Sequence, residues 1–197
     1  MTTPYSRRRL LTFALGLSSV AVVGCGESCS ACYAPKPKAP PVTIYIVRHA
    51  EKLKVEDGPD DMRDDPPLSP EGQARAMGLT EDLPVRQLKA VYVTRTKRSY
   101  DTASAVLALT GLKATYYPAK DYAGIVERLS KHYGESVLLV GHSNTIPPLL
   151  QAFGVAEPVT IEHEQYGDLW VLTLEDGEAK LETRRFGESI ERFDPGR

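Results

Sequence analysis

Three short runs, Thr43-Ile44-Tyr45-Ile46-Val47, Lys89-Ala90-Val91-Tyr92-Val93 and Ser136-Val137-Leu138-Leu139-Val140, are rich in branched apolar residues and bounded by polar segments. Each is too short for a core helix and too continuously apolar for a strand with one wet face, so each reads as a strand buried on both sides. A fourth run lies near Lys113 to Tyr117, and stretches with helical signals separate all four. Strands joined through helices pair in parallel with right-handed crossovers. The pattern therefore predicts a three-layer α/β sandwich: a mostly parallel central sheet with helices on both faces.

The intervening helices carry their own punctuation. Ser69 as N-cap with Pro70 at the first helical position starts a helix towards Leu83, which Pro84 closes. A second helix begins around Arg98, shows Tyr100, Ala103, Val106 and Leu107 on one face, and stops at Gly111. A third is expected over Tyr122 to Tyr133, ending at Gly134, and a fourth from Asn144 to Phe153, where Pro147-Pro148 fit only in a first turn. Leu169 to Leu174 and Lys180 to Arg185, joined at Glu175-Asp176-Gly177, read as a hairpin at the sheet edge. Lys52 to Pro67 is rich in acids, Gly and Pro, and reads as a solvated loop near the site, since its carboxylates lack the spacing of a calcium loop.

In open parallel sheets ligands bind beyond the carboxyl ends of the strands. The first strand ends at Arg48-His49 and the last parallel one at Gly141-His142, so two imidazoles and a guanidinium arrive where chemistry is expected. A neutral imidazole beside a forked, permanent positive charge suits attack on a phosphoryl group.

Four ordered motifs, Arg48-His49, Leu68-Ser69-Pro70-Glu71-Gly72, Thr94 through Arg98 to Thr102-Ala103, and Gly141-His142, resemble those of branch 1 of the histidine phosphatase superfamily, the phosphoglycerate-mutase-like group. The resemblance runs from about Val42 to Gly187. It implies that His49 is the nucleophile, that Arg48, Arg98 and His142 hold the phosphoryl oxygens, and that a phosphohistidine forms without a metal or cofactor; Ser143 and Asn144, at the start of a helix, are expected to add donors to the phosphate. It also implies a carboxylic acid after the third strand to protonate the leaving group. This chain has Tyr116-Tyr117-Pro118-Ala119-Lys120 there, so the first candidate is Asp121, which is equally explicable as a helix N-cap, with Glu51, Glu162 and Glu164 as alternatives.

The front of the chain is a targeting segment. Arg7-Arg8-Arg9 precede a short apolar stretch from Leu10 to Val23, which suggests twin-arginine or general secretory export. Val22-Val23-Gly24-Cys25 resembles a lipoprotein cleavage box, after which Cys25 would be lipidated and hold the protein to a membrane surface; ordinary signal cleavage is the alternative. The expected division is an export signal over 1–24, a lipidated cysteine and Pro-rich tether over 25–41, and a phosphatase domain over 42–197. Cys29 and Cys32 have no second ligand pair nearby and read as a disulfide. Without the signal's three arginines, 21 basic face 26 acidic residues, which gives no electrostatic footprint for nucleic acid.

The expected partner is thus a phosphorylated small molecule or phosphoprotein, hydrolysed at an exported, membrane-anchored enzyme. Two other functions compete: an exported phosphate- or phosphosugar-binding lipoprotein with little turnover, and, less favoured, a phosphoglycerate mutase. His132 and His163 lack a partner motif and read as surface or capping residues.

Overall fold

The computed structural model describes residues 38–54 and 64–188. Contacts divide the chain into residues 1–36 and 37–197, and everything described belongs to the second unit. The expected export signal, Cys25, Cys29, Cys32 and most of the tether lie outside the described residues, as does the centre of the acidic loop.

Six strands form one sheet in the order β3-β2-β4-β1-β5-β6. Strands β1 (Val42–Arg48), β2 (Leu88–Thr94), β3 (Ala114–Tyr117) and β4 (Ser136–Gly141) are mutually parallel, while β5 (Asp168–Glu175) and β6 (Glu178–Arg185) add an antiparallel margin. Helices α1 (Pro70–Asp82) and α2 (Lys97–Thr110) cover one face, and α3 (Tyr122–Leu129) and α4 (Ile146–Ala152) the other. The expected three-layer, mostly parallel α/β architecture is what forms.

Alternation along the central strands explains why they read as continuous apolar runs. Ile44, Ile46, Val137 and Leu139 point towards Ile125, Leu129, Leu149 and Leu150 of α3 and α4. Val47, Leu138 and Val140 point the other way, towards Leu79 of α1 and Ala103, Val106 and Leu107 of α2. Ile46 to Arg48 of β1 and Val137 to Gly141 of β4 are buried throughout, whereas Thr43 and Tyr45, earlier in β1, are half-buried.

Local signals are realised with specific geometry. Ser69 Oγ accepts from Gly72 N at 3.2 Å, and Ser69 N donates to the Glu51 carbonyl at 2.9 Å. A Cβ at Gly72 would fall inside that carbonyl, so the glycine lets the first turn of α1 press on the segment after His49. Gly111 ends α2 in the left-handed conformation, φ 71°. Asp176 and Gly177, at φ 54° and 85°, make the two-residue hairpin turn, whose twist matches that of the flanking strands.

Three expectations are corrected. Helix α3 stops at Leu129 rather than Tyr133, because Ser130 Oγ bonds back to the Val126 carbonyl and His132 and Glu135 close a turn instead. Helix α4 begins at Ile146 rather than Asn144, after a turn in which Thr145 N and Ile146 N both bond to the His142 carbonyl. Tyr100 is exposed, and Ser99 and Thr102 take the inner face of α2 in its place. Among the described residues no helix is long and apolar enough to cross a membrane.

Candidate active site

Register builds the site. β1 and β4 are neighbours, with Arg48 opposite Gly141, so the next residues on each strand, His49 and His142, emerge side by side. His49 N donates to the Gly141 carbonyl at 3.0 Å, and the two imidazoles meet edge to face with centroids 5.2 Å apart. On the other side of β4, β2 ends at Thr94, whose hydroxyl lies 2.9 Å from His142 Nε2. Of the eight buried polar or charged residues among the described residues, six (Arg48, His49, Thr94, Ser99, Thr102 and Thr145) gather here. Buried polar groups demand partners, and this concentration marks a site rather than a packing fault.

His49 is only 5% exposed, and its Nδ1 lies 2.8 Å from the Ala50 carbonyl. A carbonyl only accepts, so Nδ1 carries the proton and Nε2 of the neutral ring keeps its lone pair. Burial, reinforced by His142, Arg98 and Arg48, pushes the His49 pKa down to about 3, which keeps that lone pair available at neutral pH. Burial first, then Arg98 and Arg48, lowers His142 to about 4. The Ala50 peptide that orients His49 is itself held, since Ala50 N donates to Thr102 Oγ1 at 3.0 Å and Thr102 Oγ1 donates to the Arg98 carbonyl at 2.7 Å.

The two guanidinium groups are fixed differently. Arg48 Nη1 donates to the carbonyls of Glu162 (3.0 Å) and Gln165 (2.7 Å), and the Tyr166 ring covers its face with Cζ 3.9 Å from the centroid. Asp168 anchors that segment, accepting from Gln165 Nε2 and from Arg185 Nη1 at 2.7 Å. Arg98, in the first turn of α2, donates from Nη1 to Asp65 Oδ1 at 3.0 Å, while Asp65 Oδ2 accepts from Lys97 N at 2.7 Å. The Nε atoms of both arginines are buried without a hydrogen-bond partner. Donors left over at the edge of two neutral imidazoles make a cradle suited to an anion with several oxygens.

Four expected residues, Arg48, His49, Arg98 and His142, thus converge. Ser143 is half-buried and Asn144 exposed, in the turn that precedes α4. Asp121 is the N-cap of α3, its Oδ1 accepting from Gly124 N at 3.0 Å. Of the alternative acids, Glu51 pairs with Arg75, Glu164 pairs with His163, and Glu162 contributes its carbonyl to Arg48. From sequence, Thr94 and Thr102 are motif positions without an assigned role, and nothing distinguishes Asp65 or Tyr166. His132, read as a surface or capping residue, joins Tyr92 Oη (2.8 Å) to Glu135 (2.6 Å) away from this cluster. Among the described residues no group of three or more His, Cys, Asp or Glu is placed to hold a metal ion.

Comparison with known proteins agrees with this fold. No curated protein matches the sequence. The solved structure of the protein histidine phosphatase SixA complexed with tungstate is similar at a TM-score of 0.56 and 17% identity, over 75% of this chain and 99% of that one. Phosphoglycerate mutase from Bacillus anthracis str. Sterne matches at 0.58 and 15%, over 78% and 97%. Mycobacterial glucosyl-3-phosphoglycerate phosphatase matches at 0.58 and 16%, over 75% and 99%. At such identities these likenesses establish the phosphoglycerate-mutase-like fold. In sequence, residues 44–119, a span that holds Arg48, His49 and Arg98, match the model of the histidine phosphatase superfamily (branch 1).

Proposed function

We propose that the protein hydrolyses phosphomonoesters, or phosphate on protein, through a phosphohistidine on His49. The observation that carries this reading is the bond from His49 Nδ1 to the Ala50 carbonyl, which leaves Nε2 as an unprotonated nucleophile beside His142 and two arginines. Nε2 attacks phosphorus in line, the bond from phosphorus to the ester oxygen breaks, and that oxygen takes up a proton. Water then attacks phosphorus, the nitrogen–phosphorus bond breaks, and inorganic phosphate leaves. Arg48, Arg98 and His142 stabilise the charge on the equatorial oxygens, and Ser143 and Asn144 add donors at the rim.

Asp121 is the proposed proton donor, and to act it must release Gly124 N. Asp121→Asn is expected to slow alkyl phosphates more than aryl phosphates, whose departing oxygen needs little help. Equal slowing of both classes would remove Asp121 from the mechanism. Rapid quench with labelled substrate is expected to trap an acid-labile, base-stable adduct that disappears in His49→Ala; a turning-over enzyme without that adduct refutes the proposal.

The capping role of Asp121 favours a second reading, a phosphate-binding protein of little turnover. Undetectable hydrolysis of p-nitrophenyl phosphate in EDTA across a broad pH range, with phosphate binding retained, would establish it. Export and anchoring through Cys25 belong to the proposal on sequence grounds alone. Cys25→Ser is expected to release the protein from membranes, and an unchanged membrane fraction would remove that element.

A further inference from the structure

Beside the phosphate cradle lies a cleft of about 640 Å³ that shares Tyr166 with it. Glu51, two residues beyond His49, lies in the same wall. The volume far exceeds a phosphate and fits a small organic group.

The charges lining the cleft are not equivalent. Both Glu51 oxygens accept from Arg75 Nε, at 2.8 and 3.0 Å. Glu164 is bound by His163 Nδ1 at 2.6 Å. Glu71 turns to its own backbone N–H and to the Ser69 hydroxyl at the start of α1. Each lining carboxylate therefore already has a partner. Lys52 and Lys54 also line the cleft, and among the described residues neither ammonium has an ion pair. The backbone leading to Lys54 is held in place, since Lys52 bridges Leu68 across an antiparallel pairing and Leu53 N donates to the Pro67 carbonyl at 3.0 Å. Of the three cations in this lining, Arg75 is taken up by Glu51, which leaves Lys52 and Lys54 as the two without an ion pair among the described residues.

Resting on the phosphatase reading above, we propose that this cleft receives the leaving group and that the physiological leaving group carries a second anionic group, bound by Lys52 and Lys54. A simple alcohol or a neutral sugar would leave both lysines without a function in the substrate complex. A phosphomonoester that also bears a carboxylate or a further phosphate would engage them.

The test compares aryl phosphates of nearly equal shape on the full-length protein: phenyl, 4-carbamoylphenyl, 3-carboxyphenyl and 4-carboxyphenyl phosphate. At least one carboxylated ester is expected to exceed the carbamoyl ester by about tenfold in kcat/KM, the scale of two partly screened ion pairs. In Lys52→Ala/Lys54→Ala that advantage should vanish while phenyl phosphate turnover stays the same. In Lys52→Glu/Lys54→Glu the preference should invert. Hydrolysis with no advantage for either carboxylated ester, or an advantage that survives loss of both lysines, overturns the subsite and leaves the phosphatase reading standing. Failure to hydrolyse any of the four esters, phenyl phosphate included, overturns both.

Discussion

Arg48 and Arg98 stand at opposite sides of one cradle and are held by opposite means. Arg48 is fixed by two main-chain carbonyls and the face of Tyr166, all neutral, and no carboxylate is hydrogen-bonded to it, although Glu164 and Glu51 act on it from a distance. Arg98 is fixed by the Asp65 carboxylate, which is 42% exposed and partly neutralises it. A fully charged, pre-oriented donor costs nothing to reorganise when charge develops on phosphorus. A donor already paired must first share its partner with the incoming anion. The contrast teaches that two arginines of the same motif set need not contribute equally.

The sharpest way to break the contrast is to remove each side chain in turn. Arg48→Ala is expected to lower kcat/KM for p-nitrophenyl phosphate roughly 10³-fold, and Arg98→Ala roughly 10²-fold. Losses of equal size would show that Asp65 does not attenuate Arg98.

Burial of the two histidines, with the arginines adding to it, shapes the acid limb of stability. Folded pKa values of about 3 for His49 and about 4 for His142 lie below the ordinary value of 6.5, so between pH 6.5 and those values the unfolded chain binds more protons. Stability is therefore fully present above pH 6.5 and falls as pH is lowered through that window. His49 alone accounts for on the order of 2 kcal/mol at pH 5. Thermal melts of His49→Asn should show a shallower decline from pH 7 to pH 5 than the parent. Arg98 precedes Arg48 among the causes that depress His142, so Arg98→Gln should raise the NMR titration midpoint of His142 more than Arg48→Gln does. The reverse order would contradict the electrostatic picture of the cradle.

A smaller effect sharpens the role of Asp65. Asp65→Asn removes the internal competitor of a bound anion, and inhibition by inorganic phosphate should tighten about fivefold, the scale of one half-exposed ion pair. Weakened inhibition would mean that orientation of Arg98 outweighs its neutralisation. The smallest effect is expected at Asp168, which acts on Arg48 only through Gln165. Asp168→Asn should raise KM about threefold with little change in kcat, as one weakened neutral hydrogen bond allows. A large fall in kcat would place Asp168 nearer the chemistry.

What could be read before folding follows a physical pattern. His49 and His142 were legible because a strand buried on both faces tolerates polar residues only at its end, and both histidines sit there. Arg98 was legible because it sits at fixed spacing from Thr94 and Thr102. The reasons for that spacing were not: Thr94 looks like any β-branched strand residue, and Thr102 like any residue in a helix. Only the fold reveals them as the hydroxyls that hold His142 and the Ala50 peptide. Asp65 was hidden among neighbouring acids in a loop without periodicity, where nothing local distinguishes the one that reaches Arg98. Tyr166 lies in an aperiodic connection, and stacking on a guanidinium leaves no trace in spacing. The over-long forecasts for α3 and α4 share a cause, since side-chain and turn bonds at their termini compete with the helix ladder.

The bond between the His49 ring and the Ala50 carbonyl also fixes regiochemistry. With its pros nitrogen committed to the main chain, the ring can accept a phosphoryl group only on its tele nitrogen. An adduct on this protein should react with reagents selective for tele-phosphohistidine and be invisible to those raised against the pros isomer.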